Sequence, residues 1–262
     1  MIGRPELSRL ATAAGVGERA QEKDYVLAWL LAARAIVGPA TFVFKGGTAL
    51  RRCWFPGYRY SEDLDFTADD SPTDDRIAAA IDGWCEWVAD EAGIQASRIV
   101  GGTEGATFYV QYVGPLRAAD GRQIKIDVAT DEAVRDGSER RLLLSEYSDL
   151  DGAKYAVDVY ALEEVWAEKV RSLLQRSEPR DLYDVHQLLE HDRSLADLGH
   201  GLFERKAISK GRAPGELIDR LTSRRTTFER TWETRLATQV RDLPAFDGVW
   251  RRVLAGLRRA DY

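Results

Sequence analysis

The chain has 262 residues, 44% hydrophobic and 31% charged, a balance that excludes a wholly disordered polypeptide and allows one large domain or two small ones. Its 37 Lys and Arg against 43 Asp and Glu leave a net charge of −6, which argues against a uniformly basic nucleic-acid binder. Two cysteines, Cys53 and Cys85, are too few for a disulfide framework or a zinc site, and the longest apolar stretch, cut by Arg34, is too short to span a bilayer.

The opening residues MIGRPELSRL lack the apolar core of a secretory signal, so export is not expected and a cytoplasmic location is. Residues 21–37 contain neither Gly nor Pro and predict a mostly buried helix stopped at Gly38-Pro39. Thr41 to Phe44 is a short β-rich run that enters a tight turn at Lys45-Gly46-Gly47. Thr48 to Arg52 then predicts the first turns of a helix, with Thr48 as its cap. Residues 60–67, YSEDLDFT, predict a second strand, followed by an acidic loop from Asp69 to Asp75 and a helix from about Arg76 to Glu91. Thr107 to Val113 and Gln123 to Ala129 predict a hairpin about an Asp120-Gly121 turn, and Val157 to Tyr160 a further strand. Helices follow at Glu163 to Gln175 and Asp181 to His191, and residues 201–262 read as helical and Arg-rich. The expected organisation is therefore a strand-rich domain over 1–160 and a helical domain over 161–262. Charge divides along the chain too: residues 1–200 sum to −12 and residues 201–262 to +6. A solvated helical surface would account for that basic segment as well as a docking face would.

Asp63-Leu64-Asp65 is the sharpest chemical feature. On a strand the two acids share a face while Leu64 turns into the core. Paired carboxylates repel unless a cation sits between them, and Mg2+ (or Mn2+) suits oxygen donors that share the ion with phosphates. Solvated acids on a polar edge strand are the plain alternative. The Gly46-Gly47 turn entering a helix adds backbone N–H groups able to cradle phosphate, although the order is not that of a Walker A loop. Lys45 and the pair Arg51-Arg52 stand near that turn, as triphosphate ligands or as solvated helix residues. Asp127, among apolar neighbours on a predicted central strand, is costly to bury unless paired or metal-bound. Its alternative partner is Lys125 or an arginine, with Lys125 expected on the opposite face. Lys169 lies in an apolar-periodic helix, where it reads equally as a snorkelling surface lysine. Asp181 and Asp184 share a helix face, with Asp181 expected to cap the helix start. His186, His191 and His200 lack ligand spacing.

Taken in order, FKGGTALRR, YSEDLDFT, EEVWAEKVRSLLQR and PRDLYDVHQLL resemble the AbiEii/AbiGii (MenT-like) nucleotidyltransferase toxins of the DNA polymerase β-like superfamily, over about residues 21–192. The resemblance implies an α+β fold: a minimal nucleotidyltransferase domain with a mixed sheet, followed by a helical C-terminal domain. It implies Mg2+, a nucleoside triphosphate donor, a tRNA or other RNA acceptor, a cognate antitoxin protein and arrest of growth by blocked translation. Gly46 and Gly47 match the glycine motif, where many members have Ser at the second position. Ser61, Asp63 and Asp65 match S-x-D-x-D, the acids holding the metal. Lys169 matches the lysine that neutralises triphosphate charge. Asp181 and Asp184 match R-D-x-x-D, with Asp184 favoured as the essential acid, and Asp127 fits the superfamily's third acid by position. The expected reaction is in-line attack of an RNA hydroxyl on the α-phosphate, with Asp127 serving a second metal or acting as base. Arg220, Arg224, Arg225 and Arg235 are expected to track the RNA backbone. Two rivals differ in class. Asp63 to Thr67 also fits the D-x-D-x-T motif of haloacid dehalogenase-type phosphatases, although charged residues precede it where an apolar strand should be. The other is a non-catalytic RNA- or protein-binding module on an inactive nucleotidyltransferase fold.

Overall fold

Among the described residues seven strands form one mixed sheet in the order β3-β4-β5-β2-β1-β7-β6. They are β1 (Phe42–Lys45), β2 (Asp63–Ala68), β3 (Gln95–Arg98), β4 (Thr107–Val113), β5 (Gln123–Ala129), β6 (Ser138–Leu142) and β7 (Ala156–Tyr160). The computed structural model describes residues 1–39, 41–68, 71–99, 107–118, 121–130 and 137–262. Strand β2 lies between β1, which it meets antiparallel, and β5, which it meets parallel. Strands β4 and β5 pair antiparallel as the sequence predicts, with Asp120 of the expected turn outside the described residues.

The first compact unit, Met1–Tyr160, holds this sheet and, among its described residues, the longer helices α1 (Arg4–Ala14), α2 (Glu18–Val37) and α4 (Asp74–Ala92). The short α3 (Gly46–Ala49) continues as a π-helical turn over Leu50–Trp54. Strand alternation explains the layering. Leu64, Phe66, Ile124, Ile126 and Val128 turn to one face and join Tyr25, Leu27, Leu30, Ile77, Ile81 and Trp84 in the core. Trp84 stacks against Phe42 and Phe66 at ring-centroid distances of 6.2 and 5.6 Å. Asp63, Asp65, Lys125 and Asp127 take the opposite face by the same alternation. Part of the expected acidic loop belongs to α4: Thr73 caps that helix through Arg76 N–H, and Asp74 and Asp75 complement its N-terminal dipole. Residues 69 and 70 lie outside the described residues.

The second unit, Ala161–Tyr262, is helical: α5 (Leu162–Gln175), α6 (Pro179–His191), α7 (Leu195–Leu198), α8 (His200–Ser209), α9 (Leu217–Ser223), α10 (Arg225–Leu236) and α11 (Phe246–Arg259). Phe228 and Trp232 of α10 pack on Trp250 and Phe246 of α11, at 6.0 and 5.7 Å between rings. Trp166 donates from its indole to Tyr262 Oη at 2.6 Å, which fastens the chain end to α5. Among the described residues no helix is long and apolar enough to cross a membrane.

Candidate active site

The glycine turn and the acid strand are built against each other. Gly46 adopts φ +81, which favours glycine, and a side chain at this position would run into the Asp65 carboxylate. A side chain at Gly47 would meet the Arg59 guanidinium at 2.6 Å and Ser61 Oγ at 3.1 Å. Thr48 is no cap. The cap position is Lys45, and the Thr48 hydroxyl donates to the Asp63 carbonyl at 2.6 Å, tying turn to strand. Lys45 stands opposite Asp65 in the β1–β2 register, and its buried ammonium lies 5.7 Å from the centre of the Tyr160 ring.

Across the parallel pair, Asp63 faces Lys125 and Asp65 faces Asp127. Lys125 was expected on the far face from Asp127. Residues two apart on a strand share a face, and Lys125 Nζ lies 2.5 Å from Asp127 Oδ2. Thr107 of β4 donates to Asp127 Oδ1 at 2.6 Å. Burial pushes the Lys125 ammonium down, but the hydrogen bond it donates to Asp127 and the charges of Asp127, Asp63 and Asp65 hold it above its ordinary value. Asp127, expected as a third metal ligand, instead has both oxygens engaged with Lys125 and Thr107. Among the described residues no group of three acids, histidines or cysteines is placed to hold a metal ion. The donor set on β2 still suits a hard cation: two half-buried carboxylates on one strand face, with the glycine turn beside them. Thr67, the last residue of the D-x-D-x-T reading, is buried, and its hydroxyl lies 2.7 Å from Tyr160 Oη. It is committed to the sheet rather than to a phosphate.

Arg51 and Arg52 neither solvate a helix nor face the turn's ligand side. Both are buried, and both bind Asp24 of α2 and Glu146, with Arg51 Nε 2.9 Å from Asp24 Oδ1. Tyr147 donates to Asp24 Oδ2 at 2.6 Å. Burial pushes the Asp24 carboxyl up, but Arg52 and Arg51 outweigh it and hold Asp24 below the usual carboxylate range. This ionic core fastens the segment after the glycine turn. Burial also pushes the Cys53 and Cys85 thiols up to about 12, which makes them inert.

In the second unit Lys169 is buried rather than snorkelling, 2.8 Å from Asp184 Oδ2 and 3.1 Å from Asp181 Oδ1. Asp181 is not the helix cap, which is Glu178. It is fully buried and also takes Arg176 Nε at 2.7 Å. Burial raises its pKa, and Lys169 and Arg176 more than reverse the shift, so the carboxyl sits below its ordinary value. Of the arginines expected to meet RNA, Arg220 pairs with Glu216 at 2.6 Å and Arg225 with Glu229 and Asp247 at 2.9 and 2.5 Å. Arg224 points to the Leu173 and Leu174 carbonyls at 3.5 and 3.4 Å, while Arg235 is exposed. The sequence reading passed over Arg59 and Thr107, and gave Lys125 only as the plain alternative partner of Asp127, which is the pairing the structure has. An apolar-flanked Lys two residues from an Asp on a strand was the available signal for Lys125.

Among solved structures the fold is similar to MenT4, a nucleotidyltransferase toxin from Mycobacterium tuberculosis, with a TM-score of 0.72 and 21% identity over 98% of this chain and 89% of that one. A weaker likeness, with a TM-score of 0.40 and 16% identity, covers 77% of this chain and 92% of an antigenic nucleotidyltransferase-like protein from Paracoccidioides brasiliensis. No curated protein sequence matches significantly. The family model described as nucleotidyl transferase AbiEii toxin, type IV toxin–antitoxin system, matches residues 29–252, which takes in the glycine turn, both β2 acids and Lys169. The chain therefore belongs to the AbiEii family of nucleotidyltransferase toxins.

Proposed function

We propose that this toxin transfers a nucleotidyl group from a nucleoside triphosphate to an RNA acceptor, the tRNA 3′ end, and thereby blocks translation in the cytoplasm until its cognate antitoxin intervenes. The observation that carries this reading is the pair Asp63 and Asp65 on one strand face with the Gly46-Gly47 turn against Asp65. Asp63 and Asp65 would hold Mg2+, which supplies Lewis-acid charge at the α-phosphate. The amides of Gly46 and Gly47 open a helix, so they lack intrahelical partners and are suited to phosphate oxygens. Lys45 adds positive charge at the same end of β1, and Ser61 lines the turn. The acceptor oxygen bonds to the α-phosphorus as the bond to the bridging oxygen breaks, and pyrophosphate leaves with the electron pair. In the second unit, Lys169 is taken as the triphosphate-neutralising lysine and Asp184 as the acid that fixes it.

The test is incubation with total RNA and each of four α-labelled nucleoside triphosphates, with and without EDTA. Metal-dependent label on a tRNA-sized species is expected, and Asp63→Ala and Asp65→Ala should abolish both label and growth arrest. Full toxicity in either variant, or label on protein alone, would overturn the reading.

A further inference from the structure

The acid face brings a cation of its own. The parallel register of β2 and β5 sets Asp63 beside Lys125 and Asp65 beside Asp127, all on one face. Three carboxylates so close repel one another unless positive charge is supplied. Lys125 supplies it through its contact with Asp127, and Thr107 from β4 fixes the other Asp127 oxygen. Lys125 and Asp127 side chains are 37% and 32% exposed, so the ammonium is open to a ligand arriving on this face. Asp127 already has the Lys125 ammonium as its counter-charge. A second divalent ion at Asp127 would have to displace that lysine.

We propose that this enzyme works with one divalent cation, held by Asp63 and Asp65, and that the Lys125 ammonium stands where a second metal ion would otherwise stabilise the attacking oxygen. The inference rests on the acid face being the transfer site. Asp127 is then a positioning residue for Lys125 rather than a metal ligand. As the acceptor oxygen bonds to the α-phosphorus and pyrophosphate leaves, the acceptor proton passes to water. Lys125 stays an ammonium and offsets charge on the attacking oxygen.

Mn2+ titrated into the full chain with a non-reactive α,β-methylene nucleotide, and counted by electron paramagnetic resonance, tests the proposal. A single tight ion per chain is expected for the wild type and for Lys125→Arg. Lys125→Ala should gain a second ion, because Asp127 is released to bind it. The same variant should lose transfer on the order of a hundredfold at limiting Mg2+ and recover part of it at high Mg2+. Asp127→Asn should lower kcat with little change in nucleotide KM, as expected when the lysine loses its anchor. Two tight ions in the wild type, or Lys125→Ala with unchanged ion count and unchanged transfer, overturn the inference while leaving the acid face as the transfer site. No tight ion in the wild type overturns both.

Discussion

The backbone of Gly46 lies so close to the Asp65 carboxylate that no side chain fits between them. The turn and the acid strand are therefore one geometric unit, and each limits the other. The positive φ of Gly46 adds a second reason for glycine, since an L-residue there costs roughly 1–2 kcal/mol. Gly46→Ala is expected to lower the melting temperature by a few degrees, about 2–4 °C per kcal/mol for a unit of this size. It should cut nucleotide transfer much further, on the order of a hundredfold, because Asp65 is displaced from its working position. Calorimetry and labelled-nucleotide transfer on the same preparation check both halves. A variant that melts lower but transfers normally refutes the coupling.

Lys169 carries the balance of a buried charge cluster. Removing its ammonium in Lys169→Met takes from the buried Asp184 and Asp181 a cation that both of them contact. Loss of one partner from a buried pair costs about 3–5 kcal/mol. Urea unfolding should show that loss, with Lys169→Arg recovering part of it. Near wild-type stability in Lys169→Met would place the lysine's importance in chemistry alone.

Stability should fall in acid by a route that names its residues. Asp24 and Asp181 both have folded pKa values below their ordinary ones. The unfolded carboxyl titrates near about 3.9, so their stabilisation is complete above about pH 5. It is lost as the pH drops through the depressed folded values. The urea midpoint should thus decline steadily below about pH 4, and the decline should be shallower in Asp24→Asn, which starts from a lower stability. A midpoint that rises on acidification contradicts the assignment.

The basic segment 201–262 makes a measurable claim about RNA. Arg235 is exposed, whereas Arg220 and Arg225 already share their charge with acids. Such exposed pairs are weak, so RNA phosphate can compete for them. Arg235→Ala should weaken RNA binding uniformly across sequences and reduce the slope of log K against log salt by about 0.7–0.9. Arg224→Ala, which loses contacts to the Leu173 and Leu174 carbonyls, should instead affect stability. Unchanged salt dependence in Arg235→Ala would assign this segment to a solvated surface.

Some of this was legible in the chain and some was not. The acids, the glycine turn and the β4–β5 pairing follow from period-two alternation and turn chemistry, which act locally. Strands β3 and β6, QASR and SERRL, carry no β signature and sit at the sheet's two edges. Their pairing is imposed by β4 and β7, so tertiary context decides it. Helix α1, which the reading missed, is short, has Pro5 in its first turn and buries only Leu7 and Ala11. Arg51 and Arg52 look like surface charge because their acid, Asp24, lies far back in the sequence. Asp181 looks like a cap because nothing local announces that Lys169 and Arg176 enclose it.

The parallel pairing of β2 with β5 has a temporal meaning. Asp63 and Lys125 are about 60 residues apart, so their contact closes a long loop and belongs to the slow part of folding. A nascent chain that has emerged from the ribosome as far as Asp65 has neither Lys125 nor Asp127 beside its acids. The acid face is therefore complete only once the chain has been made through β5.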